Sequence, residues 1–461
     1  MAAQAFLLPD TPVISLHDYI SAGGGAGLER ARQLGPSMTI KELSLSRLRG
    51  RGGGGFLTGR KWASIRRAGG GVHYVVCNAA EGEPATFKDR SLMRANPYQA
   101  VEGLAIAAGC VDAPAAYVAL KASFTREREA MTRAIAEMSA AGFLGDLAVT
   151  LVAGPEEYLF GEEKAMLEVI EGKDPLPRLF PPFQHGLFAT GPAQGWEATT
   201  SAPGSVPQSN PTLVNNLETL SNVPHILARG ADWFRSMGTA QSPGTLCCTI
   251  VGDVARPTVV ELEMGTPLSE LIERGGGPLP GQWLKAAFSG VANPVLVADR
   301  FATPLTYEAM SAAGSGLGAG GFAVYDDSTC MVELAHVLSR FLYVESCGQC
   351  RSCKYGSGEI TRLLEKITVG DGDENDVELI GRRLQTITDQ VRCYLATEEQ
   401  VLVASMLREF PEEFAEHLEG RCHIVEPRPA LVPKIVDIAD GLVTYDSKQA
   451  TKQPDWSYAE A

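Results

Sequence analysis

Short apolar runs alternate with helix-like segments through the first third of the chain. Residues 72–77, 115–120 and 148–152 are rich in β-branched and small apolar side chains, which favours buried strands. Residues 98–109 and 126–141 lie between these runs and show the apolar spacing of helices. This alternation predicts an α/β layer fold.

The pattern is different before and after this region. Residues 15–20, 28–34 and 40–48 predict short helices that precede it. From about residue 244, strand-like runs surround one short helix and predict a small α+β module; the strands are 246–251, 258–262, 284–287 and 294–297, with the helix at 268–273. From residue 331 the spacing is helical and predicts a bundle, with helices at 333–343, 357–367, 376–390, 398–407 and 411–418.

Composition restricts the class of protein. A chain of 461 residues is long enough for two to four domains of roughly 150 residues each. The net charge of −15 argues against nucleic acid or an anionic membrane as the main partner. Charged residues and a proline interrupt the most apolar run, 100–120, and the N-terminus lacks the pattern of a signal peptide. We therefore expect no membrane span in this chain.

The segment from Gly50 to Gly55 is the first candidate for binding chemistry, because five of its six residues are glycine. Such a loop can bring backbone N–H groups close to an anionic or flat ligand. Positive side chains suited to phosphate lie in or after it: Arg51, Arg60 and Lys61. Phe56 and Trp62 offer rings that can stack on an aromatic ligand. The segment therefore predicts a cradle for a nucleotide or flavin, with a flexible surface loop as the alternative.

Polar residues also follow the first predicted strand, between Asn78 and Arg90. Open α/β sheets bind ligands at this end of their strands, although a charged surface turn would have a similar composition. Glu162 and Glu163 begin another predicted helix, where carboxylates suit the helix dipole and could be simple caps.

The cysteines give the most specific local pattern. Cys347, Cys350 and Cys353 form two overlapping C-x-x-C steps, and Cys393 follows in the same helical region. Three closely spaced thiolates and one distant thiolate favour a [4Fe-4S] cube, because zinc sites more often use two separate C-x-x-C pairs. A four-cysteine zinc site remains the alternative. The other cysteines are interpreted as buried or incidental thiols: Cys77, Cys110, Cys247, Cys248, Cys330 and Cys422.

A nucleotide or flavin cradle together with an iron–sulfur motif indicates electron transfer. A nicotinamide gives up two electrons at once as a hydride, whereas an iron–sulfur cube accepts one electron at a time. A flavin can exchange electrons with both, and the protein has to place these groups in order.

The motifs, in their order along the chain, resemble those of a known family. Besides the glycine segment, the segment 81–90 and the four cysteines, the resemblance rests on Gly161-Glu162-Glu163 and on Asn215-Asn216-Leu217-Glu218-Thr219. The chain resembles the FMN- and NADH-binding 51-kDa-type subunit of respiratory complex I. It is equally similar to the homologous beta subunits of NAD-dependent formate dehydrogenases and NAD-reducing hydrogenases.

The resemblance implies an α/β fold with three domains. These are a Rossmann-like FMN/NADH domain, a small β-grasp (ubiquitin-like, α+β) domain that binds a soluble ligand, and a C-terminal helical bundle with the [4Fe-4S] cluster. The implied boundaries are an N-terminal helical segment at 1–49, the FMN- and NADH-binding domain at 50–240, the β-grasp domain at 241–330, the cluster domain at 331–425 and a surface tail at 426–461.

The resemblance also implies which residues bind each group. FMN would contact Gly50, Gly52, Lys61, Asn78, Glu81, Gly161, Glu162, Asn215, Asn216 and Thr219. NADH would contact Gly53, Phe56, Glu83, Glu163 and Phe183, and Tyr158 would lie near the flavin ring. Among these, Glu83, Glu163 and Tyr158 would position the reacting groups. The cube would be held by Cys347, Cys350, Cys353 and Cys393.

The implied activity is hydride transfer between NAD(H) and FMN, followed by single-electron transfer to the cluster. The implied partners are a thioredoxin-like [2Fe-2S] subunit and further iron–sulfur subunits of a larger cytoplasmic complex, which could reach the inner face of a membrane only through those partners. The parent complex could be respiratory, a formate dehydrogenase or a hydrogenase, so electrons could flow in either direction.

Several positions depart from the family pattern: Ala80, Lys164, Phe180 and Ser64, with an expected insertion at 191–209. Ala80 and Phe180 motivate an alternative, in which the chain is a non-catalytic structural or electron-wiring subunit that has lost nucleotide binding. A zinc-stabilised nucleotide-binding protein is a third hypothesis. The departures also leave the choice between NADH and NADPH open.

Overall fold

The structure is a computed structural model that describes residues 5–191, 207–424 and 430–459. Most of the insertion expected at 191–209 lies outside these residues. The chain forms two compact units. The first comprises Met1–Gly82, Lys88–Cys247 and Val260–Gly265, and the second comprises Glu83–Phe87, Cys248–Val259 and Thr266–Ala461.

The first unit is an α/β fold, as the sequence predicts. Its helices are α1 (Leu16–Ser21), α2 (Ala26–Ser46), α3 (Thr58–Arg67), α4 (Lys88–Ala95), α5 (Pro97–Val111), α6 (Thr125–Ala140), α7 (Glu163–Ile170), α8 (Leu217–Arg229) and α9 (Ala231–Arg235). Its strands are β1 (Tyr74–Asn78), β2 (Ala115–Lys121), β3 (Ala148–Gly154) and β4 (Thr212–Asn216). They form a parallel sheet in the order β3-β2-β1-β4.

Successive side chains of β1 enter two different cores. Val75 and Cys77 pack into the larger core, whereas Val76 packs into a second core that contains Phe160. Successive residues of a strand point to opposite faces, so apolar groups cover this sheet on both sides. This explains why β1 appears in the sequence as a continuous apolar run.

The two helices predicted at 28–34 and 40–48 are parts of α2, which is kinked. Gly35 has a φ of 71°, and Pro36 follows it. The positive φ interrupts the helix, and proline begins the next helical turn, where it needs no N–H partner. The predicted break is therefore a kink between two helical segments.

A mixed sheet follows the parallel sheet along the chain, consistent with the predicted α+β module. Its elements are β5 (Thr245–Gly252), β6 (Thr258–Glu263), α10 (Leu268–Arg274), β7 (Leu284–Phe288), β8 (Leu296–Val297), α11 (Tyr307–Ala312) and β9 (Gly321–Asp326). The strand order is β6-β5-β9-β7-β8. β9 is parallel to β5 and antiparallel to β7.

Helices follow this sheet along the chain, as predicted. They are α12 (Met331–Glu345), α13 (Arg351–Thr368), α14 (Glu374–Thr386), α15 (Leu395–Glu409) and α16 (Pro411–Leu418). α12 lies against α13, α15 and α16. Apolar positions such as Leu338, Leu364 and Leu402 are fully or almost fully buried in this bundle.

The C-terminal segment differs from the predicted surface tail. It forms the antiparallel strands β10 (Ile435–Ala439) and β11 (Leu442–Tyr445) and a short 3-10 helix at Ser447–Thr451. Lys452 is fully buried, and its Nζ lies 2.9 Å from each carboxylate oxygen of Glu345. The polar composition of this segment predicts an exposed tail. The sequence does not reveal that Lys452 is buried, because its partner Glu345 is 107 residues away.

Candidate functional site

Asparagines end two neighbouring strands of the parallel sheet. In the register of β1 and β4, Cys77 pairs with Asn215 and Asn78 pairs with Asn216. Asn78 Nδ2 donates to the carbonyl oxygen of Gly161 at 2.7 Å. The polar group predicted beyond the first strand thus lies at the carboxyl edge of the sheet, where α/β folds bind ligands.

Asn216 connects the sheet edge to a helix and to a buried acid. Its Oδ1 accepts the N–H groups of Glu218 at 3.0 Å and Thr219 at 3.4 Å, so it caps α8. Its Nδ2 donates to Asp89 Oδ2 at 2.6 Å. With both ends of the amide engaged, the side chain has one defined orientation.

The glycine segment passes close to these asparagines. A Cβ atom on Gly52 would lie 3.0 Å from Asn216 Cβ, closer than side chains ordinarily approach. Gly53 has a φ of 107°, which is the left-handed region that favours glycine. The N–H of Arg51 donates to Thr219 Oγ1 at 2.8 Å and so holds the segment against α8. Gly52, Asn216 and Thr219, three of the predicted FMN contacts, therefore lie together.

The expectation that Arg51 would face a phosphate is wrong. Its side chain is buried, and its guanidinium donates to the carbonyl oxygens of Thr245, at 2.8 Å, and Pro243, at 3.2 Å. Glu218 Oε1 lies 4.0 Å from its Nε. The buried side chain of Arg51 thus anchors the glycine segment to residues 243–245.

Trp62 is also a core residue and cannot stack on a ligand as predicted. It is fully buried, and its Nε1 donates to Asn215 Oδ1 at 2.7 Å. This bond fixes the orientation of one asparagine at the sheet edge. Phe56, in contrast, is 60% exposed and remains available for stacking.

A buried cluster of charged side chains contacts Asn216. The sequence does not predict this cluster. Lys88 Nζ is 2.9 Å from Asp89 Oδ1 and 2.8 Å from Glu218 Oε2. Burial opposes the charge of Lys88, but Asp89, Glu218 and Glu81 together raise its pKa. The pKa of Glu218 is raised by burial against the opposing effects of Lys88 and Arg51. Lys88, Asp89 and Glu218 all belong to the recognised motifs, but their mutual pairing depends on the fold.

Two predicted FMN contacts are carboxyl groups with pKa values near neutrality. Burial and the Asp89 charge raise the pKa of Glu81 to about 7, although it accepts the N–H groups of Asp89 and Arg90 at 3.1 Å each. Burial raises the pKa of Glu162 to about 7 against the charge of Lys164. Near pH 7 each group can therefore be a hydrogen-bond donor or an acceptor.

Glu162 and Glu163 have different roles at the start of α7. Glu162 is the cap, and its Oε2 accepts the N–H groups of Lys164 at 2.8 Å and Ala165 at 2.9 Å. Glu163 instead pairs with Lys61 of α3, with Nζ and Oε2 2.9 Å apart. The structure therefore brings Lys61, on the predicted FMN side, together with Glu163, on the predicted NADH side.

Phe183 and Tyr158, two further predicted contacts, belong to the first unit. Phe183 is 50% exposed, and Tyr158 begins a 3-10 helix at Tyr158–Gly161. Glu83 belongs to the second unit, where its Oε1 accepts the N–H of Val291 at 2.7 Å. Gly290 adjoins that bond, and a Cβ there would lie 2.1 Å from Glu83 Oε1.

In the second unit, the cysteine motif surrounds the start of α13. Gly348 has a φ of 79°, which lets the backbone turn between Cys347 and Cys350. Cys350 is the N-cap of α13, so Cys353 lies in its first turn. Burial raises the pKa of Cys353, and the charges of Cys393, Cys347 and Cys350 raise it further. The remote Cys393 is therefore close enough to Cys353 for the two charges to interact.

These features fit the two groups that the motifs imply. The Gly52 position leaves no room for a side chain beside Asn216, as expected where backbone approaches a ligand. Four thiols, three of them beside a helix N-terminus, are soft ligands of the kind that hold iron–sulfur clusters.

Comparisons with known proteins assign these regions to domain families. Residues 43–225 match the model of the Nuo51 FMN-binding domain, and residues 333–417 match the NADH-ubiquinone oxidoreductase-F iron–sulfur binding region. Residues 248–288 match the SLBB domain. The first range contains the glycine segment and all three edge asparagines, and the second contains the four clustered cysteines.

Relatives that match most of the chain support the same assignment. The chain is 38% identical to the NADH-quinone oxidoreductase F subunit 2 of Rhizobium meliloti, over 90% of this chain and 96% of the relative. It is 36% identical to the NADH-quinone oxidoreductase F subunit of Streptomyces coelicolor, over 88% of this chain and 89% of the relative. The chain belongs to this Nuo51 family. It therefore has the family's FMN-binding domain and iron–sulfur binding region.

Solved structures support the same fold. An NAD+-reducing [NiFe]-hydrogenase in the H2-reduced state superposes with a TM-score of 0.74 at 28% identity, covering 88% of this chain and 67% of that chain. The air-oxidised state of such a hydrogenase gives a TM-score of 0.74 at 27% identity, covering 92% of this chain and 70% of that chain. In the part of this Nuo51 family member that the structure describes, no helix is both long and apolar enough to cross a bilayer.

Proposed function

We propose that this chain is the NADH-oxidising subunit of a multisubunit NADH:acceptor oxidoreductase, with FMN and one [4Fe-4S] cluster. One observation carries the proposal: the glycine segment lies against Asn216 at the carboxyl edge of a parallel sheet. That edge is where α/β folds bind nucleotides, and it lies within the region that matches an FMN-binding domain.

The residues at the sheet edge would bind FMN through shape and hydrogen bonds. Gly50 and Gly52 allow close approach of the backbone, and Lys61 supplies a positive charge for the phosphate. Side-chain and backbone polar groups of the predicted set would complete the site: Asn78, Glu81, Gly161, Glu162, Asn215, Asn216 and Thr219. When bound, FMN would accept a hydride from NADH and release its electrons singly.

The NADH side would use rings and carboxylates. Phe56 and Phe183 are exposed aromatic side chains that can stack on planar rings of the dinucleotide. Gly53, with its positive φ, would let the backbone approach the dinucleotide closely, and Glu83 and Glu163 could accept hydrogen bonds from ribose or amide groups. Tyr158 would help to position the flavin ring. Hydride transfer needs no side-chain acid or base, so these residues act by orientation.

The [4Fe-4S] cluster would be bound by Cys347, Cys350, Cys353 and Cys393, and a partner would take the electrons onward. Exposed apolar side chains lie next to these cysteines in sequence: Tyr355, Val391 and Tyr394. Large apolar residues at a surface are typical of protein interfaces. We assign a thioredoxin-like [2Fe-2S] subunit and further iron–sulfur subunits as partners in a cytoplasmic complex. Depending on that complex, the chain would oxidise NADH or reduce NAD+.

An anaerobic experiment tests the proposal. The full chain is reconstituted with FMN, iron and sulfide, NADH is added, and the visible absorbance of the flavin is followed. We expect rapid bleaching, and reduction of an artificial acceptor when one is present. Bleaching by dithionite but by neither NADH nor NADPH would contradict the proposal and favour a subunit that only conducts electrons. A spectrum without iron–sulfur absorption would contradict the cluster assignment.

A further inference from the structure

Three metal-binding side chains converge outside the cysteine motif. They are Cys330, His417 and Cys422, and one donor atom from each lies within 4.8 Å of the other two. Cys330 Sγ is 3.2 Å from His417 Nε2. Cys330 and Cys422 both lie outside the region that matches the iron–sulfur family model. The three residues therefore form a separate cluster of soft ligands.

The start of a helix offsets part of the cost of a buried thiolate at Cys330. It is the N-cap of α12, and its Sγ accepts the N–H of Glu333 at 3.5 Å. Thiolates are stabilised at helix N-termini, where unpaired N–H groups and the helix dipole meet the negative charge. Cys330 is almost fully buried, and this burial raises the pKa of the free thiol, so a thiolate here would need a bound cation as its partner.

His417 is held in the orientation that a metal ligand needs. It lies in the last turn of α16 and is 7% exposed. Its Nδ1 is 3.2 Å from the carbonyl oxygen of Thr368. A carbonyl can only accept, so Nδ1 carries a proton, and in the neutral imidazole the lone pair of Nε2 faces Cys330. Histidines that bind metals commonly donate their second ring N–H to a carbonyl in this way.

A pair of buried thiols beside a histidine could also be ordinary packing. Two features argue for a ligand set: each donor belongs to a different segment of the second unit, and the histidine lone pair points at the thiol. Cys422 lies shortly after α16, whereas Cys330 precedes α12, so packing within one helix cannot explain the convergence.

We propose that Cys330, His417 and Cys422 bind one Zn2+ ion, with a water molecule completing a tetrahedral site. Two thiolates and one neutral imidazole are typical zinc ligands, and both thiol protons would be released to solvent on binding. The ion would tie the start of α12 to the segment after α16. Its role would be structural and independent of the proposed NADH chemistry.

Metal analysis of the full chain, purified anaerobically with its iron–sulfur cluster, tests this site. We expect about one zinc per chain in addition to the cluster iron. Zinc-edge X-ray absorption should show two sulfur ligands at about 2.3 Å and nitrogen or oxygen ligands at about 2.0–2.1 Å. A chain that holds no zinc after addition of equimolar Zn2+ would overturn the proposal. A four-sulfur shell, a disulfide between Cys330 and Cys422, or iron at this site would overturn it too.

Variants locate the ion. Cys422→Ser and His417→Gln should each lose most of the zinc while the iron content is unchanged. His423→Gln is the matched control, because this exposed neighbour bonds to Glu416 through Nδ1 and should retain the zinc. Full zinc content in both ligand variants would disprove the assignment. If either variant fails to fold, the zinc-edge X-ray absorption spectrum of the unaltered protein decides whether the proposed ligands bind the ion.

Discussion

Lys61 Nζ lies 2.9 Å from Glu163 Oε2. This ion pair joins α3, which follows the glycine segment, to α7, which begins at Glu163. The two side chains are 30% and 38% exposed, so solvent weakens their attraction. An anionic ligand can therefore compete with Glu163 for the ammonium group. The pair connects the side of the site proposed for FMN with the side proposed for NADH.

Replacing Lys61 with alanine should weaken FMN binding by about 10- to 100-fold, because one charge-assisted hydrogen bond is lost. Fluorescence titration of the flavin-free chain measures this change. Arg67→Ala is the control, since Arg67 is an exposed basic residue at the other end of the same helix and has no assigned role. Equal affinity in Lys61→Ala and the unaltered chain would show that the lysine does not contact FMN.

Two glycines of the same segment should respond differently to a methyl group. In Gly52→Ala the new Cβ would press against Asn216, so we expect FMN content to fall several-fold. In Gly54→Ala the new Cβ would meet no described atom within 4 Å, so FMN content should hold. Flavin released by acid from each purified variant gives the comparison. Similar losses in both would mean that general loop stiffness, and not the contact with Asn216, is the cause.

The buried ion pair of the second unit predicts a compensating double variant. Lys452→Met would leave Glu345 buried without its cation, at a cost of about 3–5 kcal/mol in unfolding free energy. Glu345 is two residues before Cys347, so iron content should fall as well. Adding Glu345→Gln removes the buried carboxylate charge and should restore much of the stability. Denaturant midpoints and iron per chain measure both effects, and an unaffected single variant would refute the argument.

A buried acid makes the stability of the bundle depend on pH. Glu399 is fully buried, accepts a bond from Ser339 Oγ at 2.6 Å, and has its pKa raised by burial from 4.5 to about 8. The folded chain thus holds this proton more tightly than the unfolded chain. Its stabilising contribution is complete below pH 4.5 and is lost as pH rises through 8.

Glu399→Gln should therefore flatten the fall in stability between pH 5 and 8, where one group contributes at most about 1.4 kcal/mol per pH unit. Denaturant unfolding at several pH values gives the slope. Glu378→Gln, on the exposed surface of α14, should keep the slope of the unaltered chain. If Glu399→Gln leaves the slope of unfolding free energy against pH unchanged, a group other than Glu399 causes the pH dependence.

The sequence predicts the elements well because their periodicity is local. The strands near 72–77 and 115–120 and the helices of the bundle lie close to their expected positions. The wrong expectations concern side chains whose partners are distant in sequence. Arg51 resembles a phosphate ligand until Glu218 and β5 enclose it, and Trp62 resembles a stacking ring until Asn215 accepts its N–H.

The cluster of Cys330, His417 and Cys422 cannot be predicted from the sequence either, because Cys330 is also distant from the other two members along the chain. Cys330 and His417 are 87 residues apart, and neither has another metal-binding residue at the spacing of a familiar motif. The spacing His-x-x-x-x-Cys, which begins in the last turn of α16, is the one local indication in the sequence. Convergence of this kind is visible only once α12 and α16 are placed together.

The pairing of Glu345 with Lys452 has a consequence for the order in which the protein is made. The two residues are 107 positions apart, and a ribosome synthesises Glu345 and the first three clustered cysteines long before Lys452. Until the lysine emerges, the carboxylate next to the cysteines must stay hydrated. The region next to the cysteines can therefore become fully buried only after the last strands, the 3-10 helix and Lys452 have been synthesised.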